Sequence, residues 1–440
     1  MGKFSLALNK IGLSYNFSSL RGRTPVRFLW KMANIPQLKE KARTAIDAAS
    51  GELNELSQNI WSHPELNYEE HNAHRILTDF LERYGFQVER HYKVDTAFRA
   101  TFDTGNKNGV NVCLISEYDA LPEIGHACGH NLIAEVGVGA GIGAKAALET
   151  AGKQVGKLIV MGTPAEEGGG GKVKLIEAGA FDDIDVAMMA HPTDRQNNVP
   201  TPTQLAMVEM NVTFHGKASH AAYAPWEGVN ALDAAVMFYQ SMSVMRQQLK
   251  PSWRIHGVIR NGGTKPNIIP EKTEVEYYLR TPTDAELPEL QQKAILCAEG
   301  AAKSTGCTME HSFSSHYANV IHNRPLIQLY RNNADLVGLK LFTPEECDKA
   351  FAGSTDMGNV THTVPGFHPK FGIGCTATTH SRGYTAEAGK PEAQEPTLKQ
   401  AKILAMTALD VFFQDGIITE IKERFKQDME NEQALVGLSE

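Results

Sequence analysis

The sequence predicts an α/β protein whose larger domain is interrupted by a smaller α+β domain. Apolar strands alternate with helical segments up to about residue 205, which is typical of a mixed, mostly parallel sheet with helices on both faces. Between residues 206 and 318 the order becomes strand, helix, strand, strand, helix, strand. That order indicates a ferredoxin-like domain. The α/β pattern returns after residue 318.

These changes of pattern divide the chain into four segments. We expect a basic leader over residues 1–38, the two parts of the larger domain over 39–205 and 319–440, and the insert over 206–318. The leader is rich in Lys and Arg and has no acidic residue before Glu40. Its composition is similar to that of a mitochondrial transit peptide, and a disordered leader is the alternative.

The predicted elements of the first part follow in a regular order. Residues 35–85 contain two amphipathic helices that are broken at His63-Pro64, because proline cannot donate a backbone hydrogen bond. Apolar or alternating strands and a helix with small residues at helical spacing come next. The strands are predicted at 86–92, 97–103, 108–122, 155–167 and 185–192, and the helix at 131–152.

Composition excludes several classes of protein. The net charge of −8 offers no basic surface for nucleic acid or for acidic membrane lipids. No apolar run approaches the roughly 20 residues that a transmembrane helix needs. Six cysteines lie at wide, unpatterned spacing, which favours free thiols in a reducing compartment such as the cytoplasm.

Acidic and imidazole side chains follow three successive predicted strands. The strand ends carry Glu117 with Asp119, then Glu166 with Glu167, and then His191. In a parallel sheet these ends meet at one edge, where ligands bind. Loops elsewhere add further donors of the kind that zinc or manganese accepts. These are Cys128, His130 and His380. Each residue alone is unremarkable, but together they predict a metal site.

The adjacent acids Glu166 and Glu167 suggest a division of work. Beside a metal ion, one carboxylate can bind the ion while its neighbour acts as general base on water. A cation also lowers the cost of two adjacent negative charges. Asp119 is placed to orient a ligand from behind.

Two glycine-rich stretches resemble nucleotide-binding loops but do not fit them. "GVGAGIGA" at 137–144 follows no strand, so close helix packing explains it better than a dinucleotide site. "EEGGGGK" at 166–172 lacks the spacing of a phosphate-binding loop and provides backbone freedom beside the acids. A nucleotide-dependent oxidoreductase is therefore disfavoured.

Several long motifs occur in a familiar order. They are "EYDALPEIGHACGHN", "GTPAEEGGGG", "AMMAHP", "FHGKASHAAYAPWEGVNALDAA", "IHGVIRNGGTKPNIIPE", "YYLRTPT" and "GSTDMGNVTHTVPGFHP". Over about residues 40–425 the chain resembles the aminoacylase/carboxypeptidase-like family of metallopeptidases, in its amidohydrolase branch. The resemblance makes the larger domain the catalytic domain and the insert a lid and dimerisation domain.

The resemblance also implies roles for individual residues. One or two divalent ions, of zinc, manganese or cobalt, are expected, with Glu166 as general base. His220 matches a lid histidine that stabilises the oxyanion and often reaches across a homodimer. Arg280 is suited to a free carboxylate. The positions that match metal ligands are Cys128, His130, Glu167, His191 and His380, and those that match substrate-binding residues are Asn267, Arg280 and Ser354.

The implied activity is hydrolysis of a small dipeptide. Within the branch, the sequence at residues 125–137 and 164–172 is most similar to that of cytosolic dipeptidases that act on dipeptides with a basic C-terminal residue. Their substrates are β-Ala-Lys, γ-aminobutyryl-Lys, Xaa-Arg and Xaa-ornithine. An N-acyl or aroyl amino acid amidohydrolase of the hippurate or aminobenzoyl-glutamate type is the alternative. A basic side chain needs an acidic partner, for which Asp356 and Glu227 are candidates. A non-catalytic binding protein on the same scaffold is the third hypothesis.

Two departures leave the number of metal ions open. Glu117-Tyr118-Asp119 stands where the better-known dinuclear relatives carry His-x-Asp, which removes one ligand that His130 would replace. Asn131 stands where much of the branch has Asp.

Overall fold

The computed structural model describes residues 26–194, 198–347 and 353–436. Its α-helices are α1 (Val26–Ala48), α2 (Ser50–Ser62), α3 (His71–Arg83), α4 (His130–Ala151), α5 (Gly171–Glu177), α6 (Ala231–Met245), α7 (Leu287–Thr305), α8 (Arg324–Leu336), α9 (Pro344–Cys347), α10 (Met357–Thr363), α11 (Arg382–Ala388), α12 (Gln394–Phe413) and α13 (Ile417–Val436). Its strands are β1 (Gln87–Arg90), β2 (Phe98–Asp103), β3 (Val110–Glu117), β4 (Gly156–Thr163), β5 (Val186–Met188), β6 (His191–Thr193), β7 (Ala206–His215), β8 (Arg254–Asn261), β9 (Lys272–Thr281), β10 (Thr308–Tyr317), β11 (Gly366–Phe367) and β12 (Lys370–Gly372). Of the leader predicted over 1–38, residues 1–25 lie outside the described residues, and α1 begins at Val26.

The larger domain is built on a six-stranded sheet in the order β1-β2-β4-β3-β5-β11. The four strands from β4 to β11 are parallel, and β2 and β1 extend the sheet as antiparallel strands. Strand β3 is buried on both faces, since Leu114 belongs to one hydrophobic core and its neighbour Ile115 to a second. Helices therefore cover both faces, as predicted for a mostly parallel sheet.

Helix α4 packs closely against this sheet and against α1. A Cβ atom added at Gly141 would lie 2.4 Å from the side chain of Val160, and one at Gly143 would lie 2.6 Å from Ile46. Only glycine permits these approaches. The structure thus gives the stretch 137–144 a packing role.

Two predicted elements are divided differently in the structure. The last of the five strands predicted in the first part, over 185–192, is split, because β5 joins the large sheet whereas β6 pairs with β12 in a separate two-stranded sheet. The segment predicted as two helices contains three, since a break at Ala49 separates α1 from α2 in addition to the break at Pro64. The division of the predicted strand places His191, a predicted metal ligand, at the start of β6.

The insert, which we call the inserted domain (β7 to β10), has the predicted ferredoxin-like arrangement. Its four antiparallel strands are ordered β10-β7-β9-β8, and α6 and α7 pack against them around a separate hydrophobic core. Strand β7 alternates between buried and half-buried residues from Val208 onward, as expected of a strand with one covered face. Strand β8 forms one edge of this sheet.

No disulfide joins the six cysteines, all of which fall within the described residues. Among the helices of the described ranges, none is both long and apolar enough to cross a bilayer.

Candidate metal centre and substrate cavity

The strand ends of the large sheet converge on a group of five donor side chains, which we call the ligand cluster. Its members are Cys128, His130, Glu167, His191 and His380. The Cys128 Sγ lies 3.3 Å from Nε2 of His191 and 3.4 Å from Nε2 of His380. An oxygen of Glu167 lies 3.5 Å from the same His380 nitrogen and 3.8 Å from Nε2 of His130. The structure therefore brings all five predicted ligands together.

A glycine allows two of the contributing segments to meet. Gly129 has a φ of +79°, and a Cβ atom there would lie 2.7 Å from the ring of Pro192. It separates Cys128 from His130, the first residue of α4, and Pro192 follows His191. The absence of a side chain at this position thus lets the Cys128 loop lie directly against β6.

Asp119 holds two members of the ligand cluster in place. Its Oδ1 lies 3.0 Å from Nδ1 of His130, and its Oδ2 accepts a hydrogen bond from the backbone N–H of Glu167 at 2.9 Å. Burial acts to raise the pKa of Asp119, but His130 and the Glu167 amide outweigh burial and lower it. An ionised Asp119 keeps a proton on Nδ1 of His130 and turns Nε2 toward the cluster, as in many metal sites.

The electrostatics of the cluster favour a positive charge at Nε2 of His130. Burial alone would lower the pKa of His130, yet the Asp119 carboxylate and Cys128 raise it well above its usual value. His130 Nε2 and Glu167 Oε1 are buried and have no hydrogen-bond partner among the described residues. Unpaired buried polar atoms are costly, and a divalent cation would satisfy both. These donors, which are imidazole, thiolate and carboxylate, fit zinc or manganese.

Backbone strain is concentrated beside the cluster. His380 has a φ of +60° and Ala165, just before Glu166, a φ of +57°. Residues other than glycine rarely adopt this conformation, and such strain often occurs at functional sites. The backbone N–H of His380 is tied to the Ala127 carbonyl at 2.8 Å. That contact fixes the exposed His380 side chain beside Cys128.

Glu166 lies at the edge of the ligand cluster, and a tyrosine of the inserted domain binds its backbone carbonyl. The Tyr317 hydroxyl, at the end of β10, donates to the Glu166 carbonyl at 2.9 Å and accepts from the Gly170 N–H at 3.1 Å. Burial, and then the carboxylates of Glu117 and Glu167, raise the pKa of Glu166 well above its usual value. Sequence reasoning missed Tyr317, whose place at a strand end carries no distinguishing signal.

A buried lysine, also missed by sequence reasoning, lies behind Glu166. Lys172 Nζ contacts Glu117 and lies 2.7 Å from Asp356, and all three side chains are fully buried. Asp356 is thus engaged by Lys172. Glu227, the other candidate acid for a basic substrate, lies in an exposed 3-10 turn that does not line the site cavity of its own chain. Neither candidate acid faces this cavity as a free carboxylate.

A cavity of about 660 Å³ joins the cluster to a guanidinium group. Arg280 of β9 and Ser354 line it together with Glu166 and four ligand-cluster residues, all but the buried His130. Arg280 Nη1 donates to the Ser354 hydroxyl at 3.0 Å, while Arg280 Nε is buried without a hydrogen-bond partner in the described ranges. The cavity therefore brings acids, candidate metal ligands and a guanidinium cation to one lining.

His220 and Asn267 lie elsewhere. They adjoin each other in an exposed part of the inserted domain, where the Ala221 N–H donates to the Asn267 carbonyl at 3.0 Å, and neither lines the cavity of its own chain. His220 Nδ1 accepts from the backbone N–H groups of Ala222 and Tyr223 at 3.2 and 3.1 Å. These contacts place the ring proton on Nε2, which leaves His220 as a hydrogen-bond donor.

Comparison with known proteins agrees with the fold and the insert. Residues 204–305 match the peptidase dimerisation domain. The chain is 48% identical to the Xaa-Arg dipeptidase of Mus musculus, over 92% of this chain and 95% of the mouse protein. It is 28% identical to one of the polypeptides of p-aminobenzoyl-glutamate hydrolase from Escherichia coli, over 87% of this chain and 94% of that polypeptide.

A solved structure shares the architecture. The M20-family dinuclear metal-binding peptidase of Bacillus subtilis superimposes with a TM-score of 0.62 at 19% identity and covers 83% of this chain and 99% of its own. Together these relationships define the protein as a hydrolase that carries a peptidase dimerisation domain. The chain belongs to the M20 family of peptidases.

Proposed function

We propose that this protein is a metal-dependent dipeptidase that cleaves the amide bond of dipeptides with a basic C-terminal residue. The expected substrates are β-Ala-Lys, γ-aminobutyryl-Lys, Xaa-Arg and Xaa-ornithine. The observation that carries the proposal is a single cavity lined by Glu166, four residues of the ligand cluster and Arg280. The high identity to a relative named Xaa-Arg dipeptidase supports the choice of substrate.

The ligand cluster is the proposed metal centre. It would hold one or two divalent ions of zinc, manganese or cobalt, with Asp119 orienting His130 from behind. A bound divalent ion supplies Lewis-acid chemistry, because it acidifies water and polarises a carbonyl group.

Glu166 is the proposed general base and acid. Its carboxylate lines the cavity beside the cluster, so it can take a proton from the attacking water and later return it to the leaving amine. In the protein without metal, burial and neighbouring carboxylates favour its protonated form. Added positive charge nearby would favour the ionised form that a base requires.

Arg280 and Ser354 are proposed to bind the C-terminal carboxylate of the dipeptide. The guanidinium keeps a buried Nε–H donor without a protein partner in the described ranges and is held toward Ser354 by its Nη1 hydrogen bond. A carboxylate can accept two hydrogen bonds from such a group. The leaving amino acid would then lie between Arg280 and the cluster, with the scissile carbonyl at Glu166.

We further propose a homodimer formed through the inserted domain, in which His220 and Asn267 serve the partner's cavity. Large apolar side chains are exposed on α6 and β8, and β8 is an unpaired edge of its sheet within the described part of this chain. The exposed group includes Val236, Met237, Tyr239, Val244, Val258 and Ile259. Such a surface favours association. His220 Nε2–H would there donate to the oxyanion.

We propose a catalytic domain formed by residues 39–205 and 319–440, and a lid over 206–318. The unlinked cysteines favour the cytoplasm. Import into mitochondria through residues 1–38 is the alternative, and imaging of the full chain beside a version lacking those residues distinguishes the two.

A hydrolysis panel tests the substrate class. Protein reloaded with manganese or zinc is incubated with β-alanyl-lysine, γ-aminobutyryl-lysine, Ala-Arg, β-alanyl-histidine, hippurate and p-aminobenzoyl-glutamate, and products are measured by mass spectrometry. We expect cleavage only of dipeptides that end in Lys, Arg or ornithine, the last tested as β-alanyl-ornithine.

The aroyl substrates provide the contrasting outcome. The 28% identity to a polypeptide of p-aminobenzoyl-glutamate hydrolase favours an amidohydrolase as the second candidate function. Cleavage of hippurate or p-aminobenzoyl-glutamate in preference to the dipeptides would establish that candidate and overturn the dipeptidase.

A further inference from the structure

A lysine ammonium group lies inside a cluster of carboxylates next to the general base. Lys172 Nζ contacts Glu117 and lies 2.7 Å from Asp356, and the Lys172 backbone N–H donates to the second Asp356 oxygen at 2.8 Å. The exposure of all three side chains is 0%. Burying a cation and two anions costs desolvation free energy, which only close pairing among them offsets.

The surrounding acids have the spacing of a metal site. One carboxylate oxygen from each of Glu117, Glu166 and Asp356 lies within 4.8 Å of the other two; we call these three residues the carboxylate cluster. Three acids so close together repel one another without a cation. A divalent ion would bind oxygen ligands of this kind, but here the cation in contact with two of them is Lys172.

The backbone at the start of α5 places this lysine close to the end of β4. A Cβ atom at Gly171, the first residue of α5, would lie 1.8 Å from the Pro164 carbonyl, so only glycine allows α5 to start against the end of β4. Lys172 then points inward, whereas Lys174, two residues later, lies over the ring of Tyr68 at 3.9 Å. Helix α5 therefore directs Lys172 toward the carboxylates and Lys174 away from them.

We infer that Lys172 takes the place of a metal ion in the carboxylate cluster and acts as a positioning residue for Glu166. Its fixed positive charge balances Glu117 and Asp356, holds the cluster together and keeps divalent ions out of it. Metal binding is thereby confined to the ligand cluster. This inference rests on the metal centre of the proposed function, but it concerns a separate group of side chains.

The competing account makes Glu117 a metal ligand. Its second oxygen, Oε2, lies 3.7 Å from Nε2 of His130, at the boundary between the two clusters. If Glu117 bound a resident ion, replacing it with glutamine would lower the metal content. If Glu117 serves Lys172, the same replacement leaves the metal content unchanged, because Asp356 still pairs with the lysine.

Metal content measured on purified protein tests the inference. Wild type, Lys172→Met, Glu117→Gln and the double variant are each stripped, reloaded with manganese and analysed by elemental mass spectrometry. We expect Lys172→Met to bind about one additional ion per chain, since it leaves the three acids of the carboxylate cluster without their cation. Glu117→Gln and the double variant, in which one carboxylate is lost, should match wild type.

Controls separate this result from general damage. Lys39→Met also removes a largely buried lysine that pairs with an acid, Asp410, far along the chain, and should lower stability without changing the metal content. If Lys172→Met does not fold, the metal contents of the double variant and of Glu117→Gln test the inference instead. The double variant removes one buried charge of each sign and so leaves the net charge of the cluster unchanged.

Each outcome has a defined meaning. A folded Lys172→Met protein with the wild-type metal content, or a Glu117→Gln protein that loses an ion, overturns the inference. Wild-type protein that binds no manganese or zinc would instead refute the proposed metal centre.

As a positioning residue, Lys172 should affect kcat more than KM. We expect kcat to fall about tenfold or more in Lys172→Met, with KM for β-alanyl-lysine changed much less. A rise in KM as large as the fall in kcat would contradict that role.

Discussion

Arg280 Nη1 donates a hydrogen bond to the Ser354 hydroxyl at 3.0 Å and so joins β9 of the inserted domain to the loop before α10. The two residues lie 74 positions apart in the chain and meet at the wall of the site cavity. A bond at this place couples the inserted domain to the larger domain. It also holds the guanidinium at the cavity wall.

Arg280→Met should weaken binding of the C-terminal carboxylate. Hydrogen bonds to a charged group contribute about 1.5–3 kcal/mol, so KM for β-alanyl-lysine should rise about 10- to 100-fold. Steady-state kinetics with metal-loaded protein measures the change. The matched substrate is β-alanyl-lysinamide, which lacks the carboxylate: wild type and variant should handle it alike. A large effect of the substitution on the amide substrate would show that Arg280 does not bind this group.

Activity should be restored when two inactive variants are mixed. His220→Ala lacks the oxyanion donor and Glu166→Gln lacks the base, so each homodimer should be inactive. If His220 serves the partner's cavity, a heterodimer contains one intact site. Random exchange at equal amounts then gives about one quarter of wild-type activity, measured after refolding the mixture.

The pairing of Glu166→Gln with Arg280→Met is the control for that experiment. Both residues line the cavity of one chain, so their heterodimer has no intact site, and mixing should add nothing to the residual activity of the Arg280→Met protein. Failure of the His220→Ala mixture to recover, in protein shown to be dimeric, would mean that His220 does not act across the interface.

Removal of the metal should destabilise the protein through the ligand cluster. An ion that binds the folded chain stabilises it by mass action, by about 2.7 kcal/mol at a hundredfold excess over Kd. Chelation should therefore lower the Tm of wild type, and His191→Ala should reduce this dependence on metal. His215→Ala is the control, because His215 is exposed and pairs with Glu310 in the inserted domain. Equal metal dependence in wild type and His191→Ala would contradict the ligand assignment.

Glu135 should make stability depend on pH. Burial raises its pKa to about 7 from the usual 4.5, although Gln394 donates a hydrogen bond to it at 2.5 Å. The folded state therefore retains the proton longer than the unfolded state. The stability contributed by Glu135 is present below about pH 4.5 and is lost as pH rises to about 7, by on the order of 3 kcal/mol.

Glu135→Gln should remove this loss. Urea unfolding across the same pH window should show a smaller decline in the free energy of unfolding for the variant than for wild type. Glu149→Gln on the same helix is the control, since Glu149 is half exposed and pairs with Lys145. Parallel declines in wild type and Glu135→Gln would refute the expectation.

The strand ends explain why much of the candidate site was predictable. A βα pattern fixes which end of each strand faces the ligand, so the acids after β3 and β4 and the histidine that follows β5 were expected at one edge of the sheet. The inserted domain was equally clear, because its order of elements and the alternation in β7 are local signals. Both the mostly parallel sheet and the ferredoxin-like insert are confirmed.

Other features depend on contacts that sequence patterns do not encode. Lys172 resembles any lysine at the start of a helix, and the acids that it contacts, Glu117 and Asp356, lie far from it in the sequence. Tyr317 reaches Glu166 across 151 residues. Asp356 was a candidate for a basic substrate, but it is paired with Lys172.

The most direct test of the account compares Glu166→Gln with wild type. Both proteins are loaded with manganese, their metal content is measured, and the hydrolysis of β-alanyl-lysine is followed. We predict equal metal content and a loss of kcat of about 100- to 10,000-fold in the variant, the usual contribution of a general base. Comparable turnover by Glu166→Gln, or no turnover by metal-loaded wild type, would contradict the account.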